Sequence, residues 1–385
     1  MSTSSQADEK FVRHALELAR QGIGLTSPNP CVGAVLVGTD GDIVGIGSHT
    51  YEGMKHAEVL AIEQAGNKTR GSTLYINLEP CSHQGRTGPC TDAVIAAGIC
   101  RVVASMEDPN PQVSGKGFAK LRNAGMEVSV GLLAEDARTL NEWFAKYIRT
   151  RAPFVTLKAA MTLDGKIAPP PRESHSPANR ANWITGEAAR SHVQQLRHQQ
   201  DAIVVGVGTV IADDPLLTDR SGRHRRRQLL RVILDSRLRL PLESRVVRTA
   251  QDDVLVLCSF AEEKKKKQLL KHGVCVEQIP RPTGEGHPDL SAVIRHLGEK
   301  EITSLMIEGG AMVNWAALMS GIVDKVFLYY APRILAGTSS VSFAAGAGFA
   351  GLTDAAQVKS IRLHRFGEDF AVEGYLRDPY SATSS

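Results

Sequence analysis

Three short pieces of sequence, His56-Ala57-Glu58, Pro80-Cys81 and Pro89-Cys90, constrain this chain more than any bulk property. One imidazole and two thiolates are good ligands for a borderline-soft ion such as zinc. Three protein ligands rather than four leave the last tetrahedral corner to water, which is the catalytic pattern and not the structural one. Residues two apart on a regular helix point in nearly opposite directions, so His56 and Glu58 serve one site most easily where the chain is just entering a helix. The run His56 to Ile62 opens such a helix, with Gly66 as its expected stop, and Cys90 precedes a second short helical run from Thr91 to Ala97, closed by Gly98. Helix N-termini favour thiolate. Glu58 then stands beside the metal as a proton carrier that does not bind it. Singly, His56 could be a helix cap and each cysteine a buried apolar residue. Jointly they read as a zinc hydrolase site, and the fold must bring two helix starts and one strand end to a point.

At 385 residues the chain has the length of two domains. Hydrophobic content of 42% and charged content of 22% belong to an ordinary globular protein. The net charge of +4, with its positive excess beyond residue 150, suits an anionic small molecule as well as RNA. Six cysteines over this length make no disulfide framework. No cationic-then-apolar leader opens the sequence, and the longest uncharged stretch, Ile334 to Thr353, is too rich in Gly, Ser and Thr to span a membrane. A cytoplasmic protein is expected.

Phe11 to Ala19 repeats at helical spacing, and strands are expected at Val32–Val37, Ile43–Ile46, Thr73–Leu78 and Arg101–Ser105. This alternation predicts a layered α/β domain with its site at the strand ends. Asp136 to Arg149 reads as one amphipathic helix, and Thr150-Arg151-Ala152-Pro153 as a linker dividing a domain of residues 1–150 from one of 151–385. A second α/β pattern follows, with strands at Phe154–Ala160, Ala202–Val205, Arg231–Asp235, Asp253–Leu257 and Ser304–Ile307. Helices are expected at Gly186–Arg197 and Ala311–Met319, a turn at Gly206-Val207-Gly208-Thr209, and no regular structure over the proline-rich Pro169–Asn182. The corner Glu308-Gly309-Gly310 before a helix can take a phosphate, because small residues admit it and the helix start supplies N–H donors. The same corner is often only a tight turn, and spacing leaves both open. Arg223-His224-Arg225-Arg226-Arg227 lacks the aromatic platforms of a nucleic-acid surface, so a solvated loop is expected, as is an exposed helix face for Lys264–Lys267.

Thr26-Ser27-Pro28-Asn29-Pro30, His49, Lys55 to Glu58, Glu79 to Cys90 and Asp108-Pro109-Asn110-Pro111 resemble the bifunctional riboflavin-biosynthesis deaminase/reductase family. The second half agrees through Leu163 to Ala168, Trp183-Ile184-Thr185-Gly186, Gly206 to Val210, Asp213 to Thr218 and Ile307 to Gly310, so the resemblance spans nearly the whole chain. The signature H-x-E…P-C-x-x-C of zinc nucleobase deaminases is matched, except that eight residues separate Cys81 from Cys90. Gly88 stands where the family usually has proline, and Thr162 where serine is common.

The resemblance implies a cytidine-deaminase-like three-layer αβα domain followed by a dihydrofolate-reductase-like α/β domain. It implies hydrolytic loss of the 2-amino group from 2,5-diamino-6-ribosylamino-4(3H)-pyrimidinone 5′-phosphate. NADPH-dependent reduction of ribosyl to ribityl in 5-amino-6-(5-phosphoribosylamino)uracil would follow. By motif match, His56, Cys81 and Cys90 would hold one zinc ion, Glu58 would be catalytic, and Asn29 and His49 would seat the pyrimidine. Ala160, Trp183, Thr209, Asp213, Ser236 and the run Gly310, Ala311, Met312, Val313, Asn314, Trp315, Ala316 match cofactor-contacting positions. Ala181, Arg197, Leu217, Arg220 and Glu308 match substrate-contacting ones, with Arg197 and Arg220 expected to fork onto the 5′-phosphate. Expected partners are phosphoribosylated pyrimidines and a second copy of the chain, with neither nucleic acid nor membrane. Two other readings stand beside this one. An RNA-base deaminase with an RNA-binding second half would show steep salt dependence and consume no NADPH. A non-catalytic zinc-stabilised interaction protein would prefer a closed four-ligand site, with Cys100 as the available fourth thiol.

Overall fold

The computed structural model describes residues 3–84, 88–170, 183–279 and 288–381. The chain divides into two units, Met1–Thr150 with His224–Arg227, and Arg151–Arg223 with Gln228–Ser385. In the first, α1 (Thr3–Arg20) precedes β1 (Gly33–Val37), β2 (Ile43–Ser48), α2 (Ala57–Ala65), β3 (Thr73–Ile76) and α3 (Cys90–Ala96). Then come β4 (Arg101–Ala104), α4 (Lys116–Asn123), β5 (Glu127–Val130), α5 (Ala134–Leu140) and α6 (Glu142–Thr150). The sheet order is β2-β1-β3-β4-β5, with β1 antiparallel to both neighbours and β3, β4 and β5 parallel.

Side chains alternate across a strand, and here the alternation is between close helix contacts. A Cβ on Gly33 would lie 2.1 Å from the Ala15 carbonyl oxygen in α1, and one on Gly47 2.0 Å from that of Ala57 in α2. Only glycine permits so close an approach, so the start of α2 is pressed onto the sheet. On the α2 face, Ala57, Ala61, Val94, Phe118 and Leu121 close over Ala34, Leu36, Leu74, Ile76 and Val102. The result is the layered αβα arrangement.

The single helix expected over Asp136–Arg149 is broken at Asn141, whose backbone (φ −115, ψ 20) leaves the helical region. Asn141 is fully buried, accepts from the Cys31 N–H at 2.8 Å and donates to the Cys31 carbonyl at 3.0 Å. Asn77 donates to the same carbonyl at 2.9 Å and accepts from the Gly33 N–H at 2.9 Å. These two amides satisfy the backbone between the Pro28–Pro30 turn and β1. An unpaired buried backbone group costs about 1–3 kcal/mol, more than one residue's helical preference, which is roughly 0.7 kcal/mol or less.

The second unit contains β6 (Phe154–Thr162), β7 (Lys166–Ala168), α7 (Glu187–His198), β8 (Ala202–Gly206), α8 (Val207–Asp213), β9 (Leu230–Leu234) and α9 (Arg245–Arg248). It continues through β10 (Val254–Cys258), α10 (Glu263–Lys271), β11 (Val274–Gln278), α11 (Leu290–Glu299), β12 (Ser304–Ile307) and α12 (Ala311–Met319). It ends with β13 (Lys325–Ala331), β14 (Val341–Ser342), β15 (Lys359–Phe366) and β16 (Asp369–Tyr375). The main sheet order is β11-β10-β9-β8-β12-β6-β13-β16-β15, parallel from β11 through β13, with β16 and β15 antiparallel. Parallel strands covered on both faces are continuous apolar runs. Accordingly, Leu255 and Leu257 enter the core under α11, while Val254, Val256 and Cys258 enter the one containing Val246, Val247 and Leu269.

The turn expected at Gly206–Thr209 is the start of α8, with Gly206 as its N-cap. Because β9, β8, β12 and β6 are parallel neighbours, their C-terminal ends share one edge, where Asp235-Ser236, Gly206 and Glu308-Gly309-Gly310 emerge. Asn141→Ala should destabilise the first unit by about 1–3 kcal/mol, since the buried Cys31 N–H loses its partner while the Cys31 carbonyl keeps Asn77. Urea unfolding followed by the fluorescence of neighbouring Trp143 reads the loss; an unchanged midpoint would show that Asn141 does not hold the Cys31 backbone.

Candidate active sites

His56 is the N-cap of α2, with an extended backbone (φ −76, ψ 158), and Glu58 lies in its first turn. Leaving extended geometry for helix turns both side chains to one side, which a continuous helix would not do. Cys81 follows the end of β3 and Cys90 is the first residue of α3, with its N–H aimed at the Cys81 sulfur at 3.3 Å. His56 Nδ1 lies 3.0 Å from Cys90 Sγ and 3.5 Å from Cys81 Sγ, and the three atoms lie within 4.8 Å of one another. Tetrahedral zinc, with bonds of about 2.0 Å to nitrogen and 2.3 Å to sulfur, needs ligand atoms roughly 3.5–3.8 Å apart. The donor set and spacing fit that ion. Cys100 is not part of the cluster: it is exposed and donates to the Gly71 and Ser72 carbonyls at 3.0 and 3.4 Å.

Charge makes the same point. The Cys90 thiol donates to Cys81 and holds its pKa well below the usual thiol range, while that bond and burial push Cys90 far upward. Two sulfurs this close share a proton that a cation would displace. Burial pushes the Glu58 carboxyl up to about 7, toward the range useful for giving and taking protons at neutral pH. A cation beside it opposes that rise.

Asn29 and His49 are brought to this cluster. Asn29 Nδ2 is 3.1 Å from His49 Nε2, His49 Nδ1 is 3.0 Å from the Lys55 carbonyl, and the His49 and His56 rings meet edge to face at 5.3 Å. Burial lowers the His49 pKa, so the ring is neutral. Nδ1–H then donates to Lys55 and Nε2 accepts from the Asn29 amide.

Glu79 does more than its place in the motif suggests. Its buried carboxylate accepts from the N–H groups of Asp108 and Gly115 at 3.0 and 2.9 Å, and from Gly117 and Phe118 at 2.7 and 3.2 Å. One side chain thus fastens the 108–118 loop to the strand end carrying Cys81. Asp108, in that loop, is pushed up to about 6, chiefly by burial. The available signal was a carboxylate directly after an apolar strand.

In the second unit the hub is Glu308, at the end of β12. Arg197 of α7 forks onto its two oxygens at 2.7 and 3.0 Å, and Lys158 of β6 approaches to 3.5 Å. Burial alone would raise this carboxyl; Arg197 and Lys158 overcome it and hold Glu308 at about 2. The remaining Arg197 nitrogen donates to the Thr218 carbonyl at 3.0 Å, bracing the loop that carries Leu217 and Arg220. Three of the five Arg197 N–H groups are thus engaged by Glu308 and Thr218, and these bonds leave one on each terminal nitrogen for the phosphate fork expected of it. The Arg220 pKa is lowered by burial and by the like charges of Arg197 and Arg245. Lys158 escaped the sequence reading; the signal was one cation inside the apolar run Phe154–Met161.

The expected cofactor residues gather at the shared strand edge. A Cβ on Gly310 would lie 3.5 Å from Thr209 Oγ1, and one on Gly206 would lie 2.9 Å from Val313 Cγ2, so the starts of α8 and α12 touch. Among the described residues no side chain caps α12 at Gly310, and buried Asn314, which donates to the Phe343 carbonyl at 2.8 Å, leaves its Oδ1 without a partner. An uncapped helix start with glycine clearance fits a nucleotide phosphate. Ala311, Met312 and Asn314 stand in that first turn, and Met312 is exposed. Val313 and Ala316 pack on the core and the Trp315 ring meets Phe349, all three being half-buried. Asp213 closes α8, with burial raising its carboxyl, and Ser236 follows β9. Ala160 packs beside Phe327 and Tyr329, and exposed Trp183 carries Arg190 over its ring at 5.2 Å. Ala181 lies outside the described residues.

Residues 5–106 match the family described as the cytidine and deoxycytidylate deaminase zinc-binding region, and residues 153–372 match the RibD C-terminal domain. The riboflavin biosynthesis protein RibD of Actinobacillus pleuropneumoniae is 40% identical over 378 residues, covering 98% of each chain. That of Aquifex aeolicus is 41% identical, covering 95% of this chain and 98% of its own. Among solved structures, Acinetobacter baumannii RibD superposes with a TM-score of 0.81 at 35% identity, over 96% of this chain and 99% of that one. A diaminohydroxyphosphoribosylaminopyrimidine deaminase/5-amino-6-(5-phosphoribosylamino)uracil reductase from Thermotoga maritima gives 0.80 at 36% identity, over 97% and 99%.

Glu308 makes a testable contribution to acid stability. Its folded pKa lies below the ordinary 4.5, so its stabilisation is present above that pH and is lost as pH falls toward about 2. Glu308→Gln strands the Arg197 charge and should lower stability at pH 7 by about 3–5 kcal/mol. Denaturant melts from pH 7 to 2 should show the gap between parent and variant closing across the acid limb. A gap constant with pH would contradict the assignment.

Proposed function

The chain belongs to the RibD family of riboflavin biosynthesis, and from that membership we propose how its two sites divide the work. It is a bifunctional enzyme, a zinc-dependent deaminase and an NADPH-dependent reductase. The first reaction removes the 2-amino group of 2,5-diamino-6-ribosylamino-4(3H)-pyrimidinone 5′-phosphate by hydrolysis. The second reduces the ribosyl group of 5-amino-6-(5-phosphoribosylamino)uracil to ribityl.

Zinc held by His56, Cys81 and Cys90 supplies the Lewis acidity that makes water reactive near neutral pH, and NADPH supplies hydride. Glu58 takes the proton of the attacking water and returns protons to the ring nitrogen and the departing ammonia. Asn29 and neutral His49 orient the pyrimidine beside it. Reduction breaks the bond between C1′ and the ring oxygen: C1′ gains hydride and the oxygen gains a proton. Lys158 is suited to deliver that proton, since it is the cation facing Glu308 and, unlike Arg197, it can release one. Arg220 grips the 5′-phosphate, while Arg197 positions Glu308 and the 217–220 loop. The uncapped start of α12, with Thr209 beside Gly310, takes the cofactor phosphates.

The finer biological setting follows from the same chemistry. Thiolate ligands and NADPH suit a reducing compartment, so the enzyme is cytoplasmic. Its partners are phosphoribosylated pyrimidines and not nucleic acid. The strand β15 ends the nine-stranded sheet with Ile361 57% and Leu363 73% exposed, which suits a homo-oligomer closing over that edge.

The observation that carries this reading is the meeting of one imidazole nitrogen and two sulfurs within 4.8 Å, with buried Glu58 in the first turn of α2. Glu58→Gln should keep its zinc and its NADPH oxidation on the deaminated substrate, and lose ammonia release by roughly 10²–10⁴-fold. Normal ammonia release by that variant would overturn the proton-carrier role.

A further inference from the structure

The basic run Arg223–Arg227 is among neither set of site residues described above, and it is not the solvated loop expected from its composition. Arg223 and His224 are exposed, but Arg225, Arg226 and Arg227 are half-buried. The Arg226 N–H donates to the Gly24 carbonyl at 2.9 Å, and its guanidinium donates to the Ser27 carbonyl. The same guanidinium lies 3.5 Å from the centroid of the Tyr51 ring, and Arg227 donates to the Ser27 hydroxyl at 3.0 Å. These contacts lie inside the first unit, which comprises His224–Arg227 together with Met1–Thr150.

The residues gripped are close to the pyrimidine seat on both of its strands of chain. Ser27 stands two residues before Asn29, and Tyr51 two residues after His49. The Tyr51 N–H reaches the Leu25 carbonyl at 3.1 Å and the His49 N–H reaches that of Val32 at 3.0 Å, so the two segments run side by side. Pro28 and Pro30 have no N–H to give, which leaves the Asn29 segment without a regular ladder. A guanidinium has a flat face and a fork of donors, so a single side chain can stack on a ring while bonding a carbonyl. A lysine cannot supply both.

We propose that Arg226 is a positioning residue for deamination, clamping Ser27 and Tyr51 so that Asn29 and His49 keep their spacing at the pyrimidine. It acts through those two residues and not on the reacting atoms. The proposal rests on the assignment of Asn29 and His49 as the pyrimidine seat.

The test uses the full-length, zinc-loaded protein and follows ammonia release from the diamino substrate in Arg226→Ala, Arg226→Lys, Tyr51→Ala, the double variant Tyr51→Ala/Arg226→Ala, and Asn29→Ala. Arg226→Ala should raise KM for deamination on the order of 10- to 100-fold, as expected when a binding geometry loosens. Zinc content and NADPH oxidation on the deaminated substrate should stay at parent values. Arg226→Lys should recover only part of the loss, and the double variant should be little worse than either single one. Parent-like KM in both Arg226 variants, with a raised KM in Asn29→Ala, would overturn the clamp and leave the seat standing. Parent-like KM in Asn29→Ala would overturn the seat and the clamp with it. A loss in Arg226→Lys that tracks falling zinc content would also overturn the proposal, since the residue would then be holding the fold and not the substrate's place.

Discussion

Two sulfurs and an imidazole are crowded together at a spacing that suits a shared cation, and much of the first unit is arranged to enforce that crowding. Cys81 lies five residues beyond the end of β3, Cys90 is the first residue of α3, and His56 is the residue before α2. None of the three can move far. Gly45 and Gly47 let α2 lie almost on the sheet backbone, with would-be Cβ contacts of 2.1 and 2.0 Å, and the Cys90 N–H is tied to the Cys81 sulfur. Glu79 then fixes the loop beyond the strand end with four backbone hydrogen bonds. Preorganisation of this kind lets a metal bind without reordering its ligands, and it leaves Glu58 aimed from a helix start and not from a loop.

The second unit solves a different problem with a different device. Its centre is an anion, Glu308, held ionised by one fixed cation and one that can give up a proton. Arg197 cannot deprotonate and makes a planar fork, so it sets geometry; Lys158 is a compact ammonium and can take part in chemistry. The parallel strands bring that charge cluster and the starts of α8 and α12 to one edge of the sheet, as open α/β sheets do with their ligands. In both units the candidate site residues gather where strands end and helices begin.

What was legible in the chain follows from range. The helix after His56, its stop at Gly66 and the helix Ala311–Met319 depend on periodicity and caps within a few residues, and they stand where spacing puts them. The His56, Cys81 and Cys90 cluster was readable because its residue types are rare in that combination, and the placing of Asn29 and His49 beside it because the motifs resembled a family. Features made by distant partners were not readable. The break at Asn141 exists because Cys31, 110 residues earlier, needs its amide. Arg226 looks like solvated charge until Ser27, 199 residues away, is beside it. Lys158 is one cation in an apolar strand until Glu308 faces it. The edge strand β15 is exposed almost throughout and so lacks the apolar run that marked the inner strands.

Deamination in the first unit depends on a metal held by three protein atoms with one corner left for solvent. X-ray absorption at the zinc edge of the purified protein, with metal content measured on the same sample, reads this directly. One zinc per chain surrounded by two sulfurs, one imidazole nitrogen and one further light atom is the predicted shell. A third sulfur, or a shell closed by a fourth protein ligand, would contradict it.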